Sequence, residues 1–124
     1  MNNTKEILII DDDSRNIFAL SAVLKAKKYQ CVSALSAVHG LELLAENKNI
    51  GAVLMDMMMP EMDGYEAIGK IKSDDGLKDI PVIAITAQAM TGDKEKCLEA
   101  GAYGYISKPV NVDELLALLQ KLID

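Results

Sequence analysis

Short apolar runs and stretches of helical periodicity alternate five times along the chain. The first run, Ile7-Leu8-Ile9-Ile10, is continuous and largely β-branched, the pattern of a strand buried on both faces. It stops at Asp11-Asp12-Asp13-Ser14, and any of the last three can cap the next helix, which carries Ile17, Leu20 and Leu24 at helical spacing. A weaker second run, Gln30 to Ala34, belongs nearer a sheet edge. The helix from about Ser36 puts Leu41, Leu44 and Ala45 on one face. Ala52-Val53-Leu54-Met55 predicts a third strand ending at Asp56; Pro60 and Gly64 punctuate the loop beyond it, before a helix presenting Tyr65, Ile68 and Ile71. Pro81 opens a fourth strand, Val82-Ile83-Ala84-Ile85, which ends at Thr86. Gly92-Asp93 precedes a short helix that Gly101 closes. The fifth strand, Tyr105-Ile106, ends at Ser107-Lys108-Pro109. Asn111-Val112-Asp113-Glu114 has the form of a capping box before a last helix through Leu115, Leu118, Leu119 and Leu122.

This (βα)5 order predicts an α/β fold, a parallel sheet covered on both faces by helices. Right-handed crossovers leave few topologies. The 124 residues fit one compact domain, and residues 1–124 read as one, with no linker and no repeat beyond the βα unit. Thirteen basic residues against nineteen acidic ones give a formal charge of -6. With no basic run longer than Lys27-Lys28, direct nucleic-acid binding is not expected. No apolar run is long enough to span a bilayer, so no membrane partner is expected, and the polar opening Met1-Asn2-Asn3-Thr4-Lys5-Glu6 is no secretory signal. A cytoplasmic location follows as the expectation. Cys31 and Cys97 lack metal spacing and read as small core or surface thiols in a reducing compartment.

In a sheet of this kind, ligands bind beyond the carboxyl ends of the strands. Strand one ends in Asp11 and Asp12, strand three in Asp56, strand four in Thr86 and strand five in Lys108. Taken singly, each has an ordinary explanation: an Asp caps a helix, a Thr plugs a strand end, a Lys is solvated. Asp13 is read as a cap. The others converge on one edge, and convergence is what points to chemistry. Three carboxylates brought together need a cation or a proton. Few, hard oxygen donors suit Mg2+, which keeps several waters and shares them with phosphate; no Ca2+-loop pattern is present. Lys108 adds a positive charge and Thr86 a hydroxyl, together able to neutralise phosphoryl oxygens. Asp56 is then the natural nucleophile, forming an aspartyl phosphate, while the adjacent Asp11 and Asp12 are better placed as metal ligands.

These residues resemble a response-regulator receiver domain over essentially the whole chain. The motifs are Ile9-Ile10-Asp11-Asp12-Asp13, the run from Leu54 through Asp56 to Pro60-Glu61-Met62-Asp63-Gly64, the run Pro81 to Ala87, and Gly101-Ala102 with Tyr105-Ile106 and Lys108-Pro109. The resemblance implies a flavodoxin-like sheet of order 2-1-3-4-5. It gives Asp56 as the phosphorylated aspartate, Asp12 as direct Mg2+ ligand and Asp11 as the acid that holds Mg2+ largely through water. Met58 would lend its backbone carbonyl to the metal. Thr86 and Tyr105 are the implied switch pair, Lys108 the phosphate-pairing lysine and Pro109 a cis-proline. A histidine kinase or histidine phosphotransfer protein is implied as donor, a protein as output partner, and a monomer or weak phosphorylation-dependent dimer as the assembly. Gly104 departs from the family, standing where an acidic residue is common, and predicts a looser start to strand five. Thr86-Ala87-Gln88-Ala89-Met90 resembles receivers attached to hybrid histidine kinases.

Other features carry less. Five of the seven methionines fall between Met55 and Met62, and after a buried strand they read as core and loop filling rather than a partner groove. His39, the single histidine, falls near the start of the second helix, away from the acidic edge, so a donor histidine must come from elsewhere. An Asp-nucleophile phosphohydrolase usually carries a second Asp two residues on, where this chain has Met58, and no capping insertion builds a substrate pocket. A flavin carrier needs donors after strand one, where three acids would repel its phosphate. A receiver serving only for docking would not need the full set of acids with Thr86 and Lys108. The chain is therefore expected to modify itself rather than turn over an external substrate.

Overall fold

The computed structural model describes residues 5–87 and 92–123. Five strands and five helices alternate: β1 (Glu6–Ile10), α1 (Ser14–Ala26), β2 (Gln30–Ala34), α2 (Ala37–Glu46), β3 (Ile50–Asp56), α3 (Gly64–Ser73), β4 (Val82–Thr86), α4 (Asp93–Ala100), β5 (Gly104–Ser107) and α5 (Val112–Ile123). The strands form one parallel sheet in the order β2-β1-β3-β4-β5. Alternation along each strand sorts the side chains to two cores. Leu8, Ile10, Val53, Met55, Val82 and Ala84 pack against α2, α3 and α4. Ile7, Ile9, Leu54, Ile83, Ile85 and Ile106 pack against α1 and α5. The central β1, β3 and β4 are buried on both faces, which accounts for their unbroken apolar runs. Edge strand β2 is partly exposed along its length.

Local chemistry sets the helix starts. Asp13 accepts from Arg15 N–H and so is the cap of α1; Ser36 accepts from His39 N–H, Asp63 from Glu66 N–H and Asn111 from Glu114 N–H. Gly101 closes α4 in the left-handed region at φ 117. Two expectations need correcting. On α2 the buried positions are Ala37, Gly40 and Leu44, and Ala45 is exposed, because the helix comes so near β1 that only glycine fits above Ile10. Strand β5 begins at Gly104 itself, one residue before the expected start, paired with Ile83, and a Cβ on the glycine would meet Leu118 of α5 at 3.3 Å. The methionine run divides as filling does: Met55, Met57 and Met59 are buried, Met62 packs at the margin and Met58 is exposed.

Candidate functional site

The sheet ladder runs just past the strand ends and fixes the site from below. Asp11 N–H donates to Ala34 O at 3.1 Å, Met57 N–H to Ile85 O at 3.0 Å and Lys108 N–H to Thr86 O at 2.8 Å. These bonds bring the ends of β1, β3 and β4 and the residue after β5 to one edge. There Asp11, Asp12 and Asp56 offer carboxylate oxygens that all lie within 4.8 Å of one another. Asp11 and Asp56 are buried and Asp12 is exposed.

Each buried acid is held by a short local turn. Asp11 Oδ1 accepts from Asp13 N–H at 2.9 Å, and its Oδ2 from the Asn16 side-chain amide at 3.3 Å. Asp56 Oδ1 accepts from Met58 N–H at 3.0 Å. Lys108 Nζ stands 3.6 Å from Asp11 Oδ2 and 3.8 Å from Asp56 Oδ2, so one ammonium serves two carboxylates. Burial pushes the Asp56 carboxyl above the ordinary carboxylate range, and the neighbouring Asp11 and Asp12 charges push the same way; Met58 N–H and Lys108 pull it back. One lysine facing three acids leaves negative charge uncompensated. The donor set is hard oxygen with an exposed acid on one side, which fits a small divalent cation that keeps water ligands.

Thr86 is buried at the end of β4, and the Lys108–Pro109 peptide is cis. Tyr105 lies partly buried on the opposite face from α5, against the core that includes α4, and burial pushes its hydroxyl upward. Met58 is exposed beside Asp56. Gln88, Ala89 and Met90 lie outside the described residues. Asn16 was not singled out from the sequence, though its place in the first turn of α1, five residues after Asp11, was a usable signal. His39 is exposed on the first turn of α2.

A profile of the response regulator receiver domain family matches residues 7–120. The chain belongs to that family. Receiver domains are the phosphoacceptors of two-component signalling, and they bind Mg2+ in an acidic site such as the one formed here. Receiver function implies a phosphodonor such as a histidine kinase, and an output partner. The family is one of signalling domains rather than enzymes. The polar-differentiation response regulator DivK of Brucella ovis is 33% identical over 120 residues, covering 97% of each chain. The receiver domain of the sensor histidine kinase PA1611 of Pseudomonas aeruginosa, solved with a magnesium ion coordinated in its active-site cleft, is 34% identical. It covers 95% of this chain and 96% of its own, with a TM-score of 0.84. The chemotaxis protein CheY4 of Vibrio cholerae shares the fold at 23% identity, with a TM-score of 0.87 over 97% of this chain and 99% of that one. Among the described residues of the receiver no helix is long and apolar enough to cross a membrane.

Proposed function

We propose that Asp56 is the phosphoacceptor, that it takes a phosphoryl group from a phosphohistidine donor in an Mg2+-dependent transfer, and that its modification switches a protein-interaction surface. The observation that carries this is the placement of Asp56: a buried carboxylate, paired with Lys108, within 4.8 Å of two further acids. In this reading Asp12 binds the metal directly, Asp11 largely through water, and Asp56 with the Met58 backbone carbonyl completes the protein's share. Bound there, Mg2+ supplies positive charge that neutralises the acids and the transferring phosphoryl oxygens. The magnesium ion in the PA1611 receiver supports the choice of metal.

The chain's own residues do the rest. The Asp56 carboxylate attacks phosphorus, the bond from phosphorus to the donor imidazole breaks, and the imidazole leaves with the bonding pair. Lys108 Nζ turns from the carboxylates to the phosphoryl oxygens, and the Thr86 hydroxyl donates to another. Drawing Thr86 inward opens space into which Tyr105 turns, so that α4, β5 and α5 form the readout face. Water attacking the acyl phosphate returns phosphate and the free carboxylate. The chemistry is self-catalysed and acts on no external substrate.

The donor, a histidine kinase or histidine phosphotransfer protein, docks near α1. Phe18 on that helix is 77% exposed, and a groove of ≈ 500 Å³ between α1 and the β5–α5 connection opens at Asp11 and Lys108. A large exposed aromatic can anchor an interface by burying its ring in a partner's pocket. Residues 1–124 act as one receiver domain in the cytoplasm, as a monomer or weak phosphorylation-dependent dimer, with no direct contact with nucleic acid or membrane. The test is intact-mass measurement after incubation with acetyl phosphate. Wild type should gain one phosphoryl group with Mg2+ and none in chelator, and Asp56→Asn should gain none. Equal labelling of the two proteins would reassign the phosphoacceptor.

A further inference from the structure

Helix α4 is thinly held. Of its eight residues only Cys97 is buried, and Leu98 is 40% exposed. Its N-cap is Gly92 in the left-handed region, which gives the first-turn N–H groups no side-chain acceptor, unlike the caps of α1, α2 and α3. A two-turn helix without a side-chain cap is marginal alone, so tertiary contacts decide where it sits.

Two of those contacts meet on Tyr65 of α3. Its hydroxyl shares a hydrogen bond with Cys97 Sγ at 3.7 Å, and Lys96 Nζ lies 4.8 Å from the centre of its ring. Burial, then the Cys97 contact, pushes the Tyr65 hydroxyl up to about 12, and burial raises the thiol too, so both partners stay protonated at neutral pH. Tyr65 is also tied to the phosphoacceptor strand. The preceding Gly64 packs so closely on Met57 that a Cβ would stand 2.8 Å from the Met57 Cα, and Gly64 N–H donates to Met57 O at 3.4 Å. Met57 directly follows Asp56. Asp56, Met57, Gly64, Tyr65 and α4 thus form one contiguous series of contacts that passes through neither Thr86 nor Tyr105.

We propose that Tyr65 is a latch that fixes α4 against α3 in the unmodified chain, and that it couples Asp56 to α4 by a second route. The latch stands on the contacts alone; the coupling rests on Asp56 as phosphoacceptor. A contact made in one arrangement and lost in another biases the equilibrium between them, and linkage makes the bias reciprocal. Contiguity by itself would not establish coupling, so the test measures it.

Hydrogen exchange of the α4 amides in the unmodified protein tests the latch, using Tyr65→Phe, Cys97→Ala and the double variant. Tyr65→Phe keeps the ring, and with it the Lys96 contact, and removes only the hydroxyl. Each single variant should speed α4 exchange roughly threefold to tenfold while α1 and α5 amides hold their rates. The double variant should be no faster than the faster single one, since both remove the same bond. Unchanged α4 rates, or effects that multiply, overturn the latch. The coupling is tested by beryllofluoride affinity with Mg2+, which should rise in Tyr65→Phe by the factor seen in exchange. Equal affinity in Tyr65→Phe and wild type overturns the coupling. Wild type that fails to bind beryllofluoride counts instead against Asp56 as phosphoacceptor, and the exchange result still decides the latch.

Discussion

Asp56 is held in a state that is costly until something neutralises it. Its carboxyl lies above the ordinary range, chiefly through burial, with Asp11 and Asp12 adding to it. For an acid raised in the folded state, the favourable contribution is complete below the unfolded value of 3.8 and is lost as pH rises through the higher folded value. In chelator at neutral pH, Asp56→Asn should therefore melt above wild type, and the gap should close as the pH falls below 3.8. Thermal melts of both proteins across that range check it; a gap independent of pH would contradict the burial account. Met58 makes a second prediction. It is exposed beside the acceptor and apolar, so it cannot orient an attacking water, and a long-lived acyl phosphate is expected. Met58→Asn should lose its phosphoryl group several-fold faster in a dephosphorylation time course with Mg2+, and an unchanged rate would remove the reason for that expectation. At this scale the sequence was informative wherever a strand ended. An Asp, Thr or Lys at or just past the end of an apolar strand run is carried to the carboxyl edge of the sheet. Asn16 was harder to find: a polar residue in a helix does not show which way it faces, and its place five residues after Asp11 was the only signal.

Elements were legible to the extent that their apolar faces are simple. α5 packs through Leu115 and Leu119, and α3 through Ile68 and Ile71, as their periodicity implies. The misses come from glycine, whose packing role leaves no hydrophobic signal. Gly40 lets α2 approach Ile10, so the buried face runs through Gly40 and Leu44 and leaves Ala45 exposed; Gly104 is a strand residue, paired with Ile83 and lying under Leu118. Gly64 read as loop punctuation, yet it is the first residue of α3 and seats that helix on Met57. Since the nearest obstacle there includes the Met57 backbone, Gly64→Ala should destabilise the fold by about 1–3 kcal/mol. Denaturant unfolding gives that number directly. A change near zero would mean that α3 can lift off β3, and would weaken the route from Asp56 through Tyr65 as well.

At the scale of the whole molecule, the two cores assign two jobs. One packs α1 and α5 against the sheet, on the side where the groove beside Lys108 opens and where the proposed donor would dock. The other packs α2, α3 and α4, and includes Tyr65, Cys97 and Tyr105, the side chains through which the proposed switch would carry a change at Asp56 to α4 and β5. The α/β class follows from alternating runs, but the strand order came from family resemblance, because periodicity says which residues are buried and not which strands are neighbours. In the proposed switch, one modified carboxylate re-sets a distant surface. Backbone amide shifts on adding beryllofluoride with Mg2+ test it most directly. Changes should begin at Asp56 and Thr86 and extend through α4, β5 and α5. Changes confined to the immediate surroundings of Asp56 would contradict it.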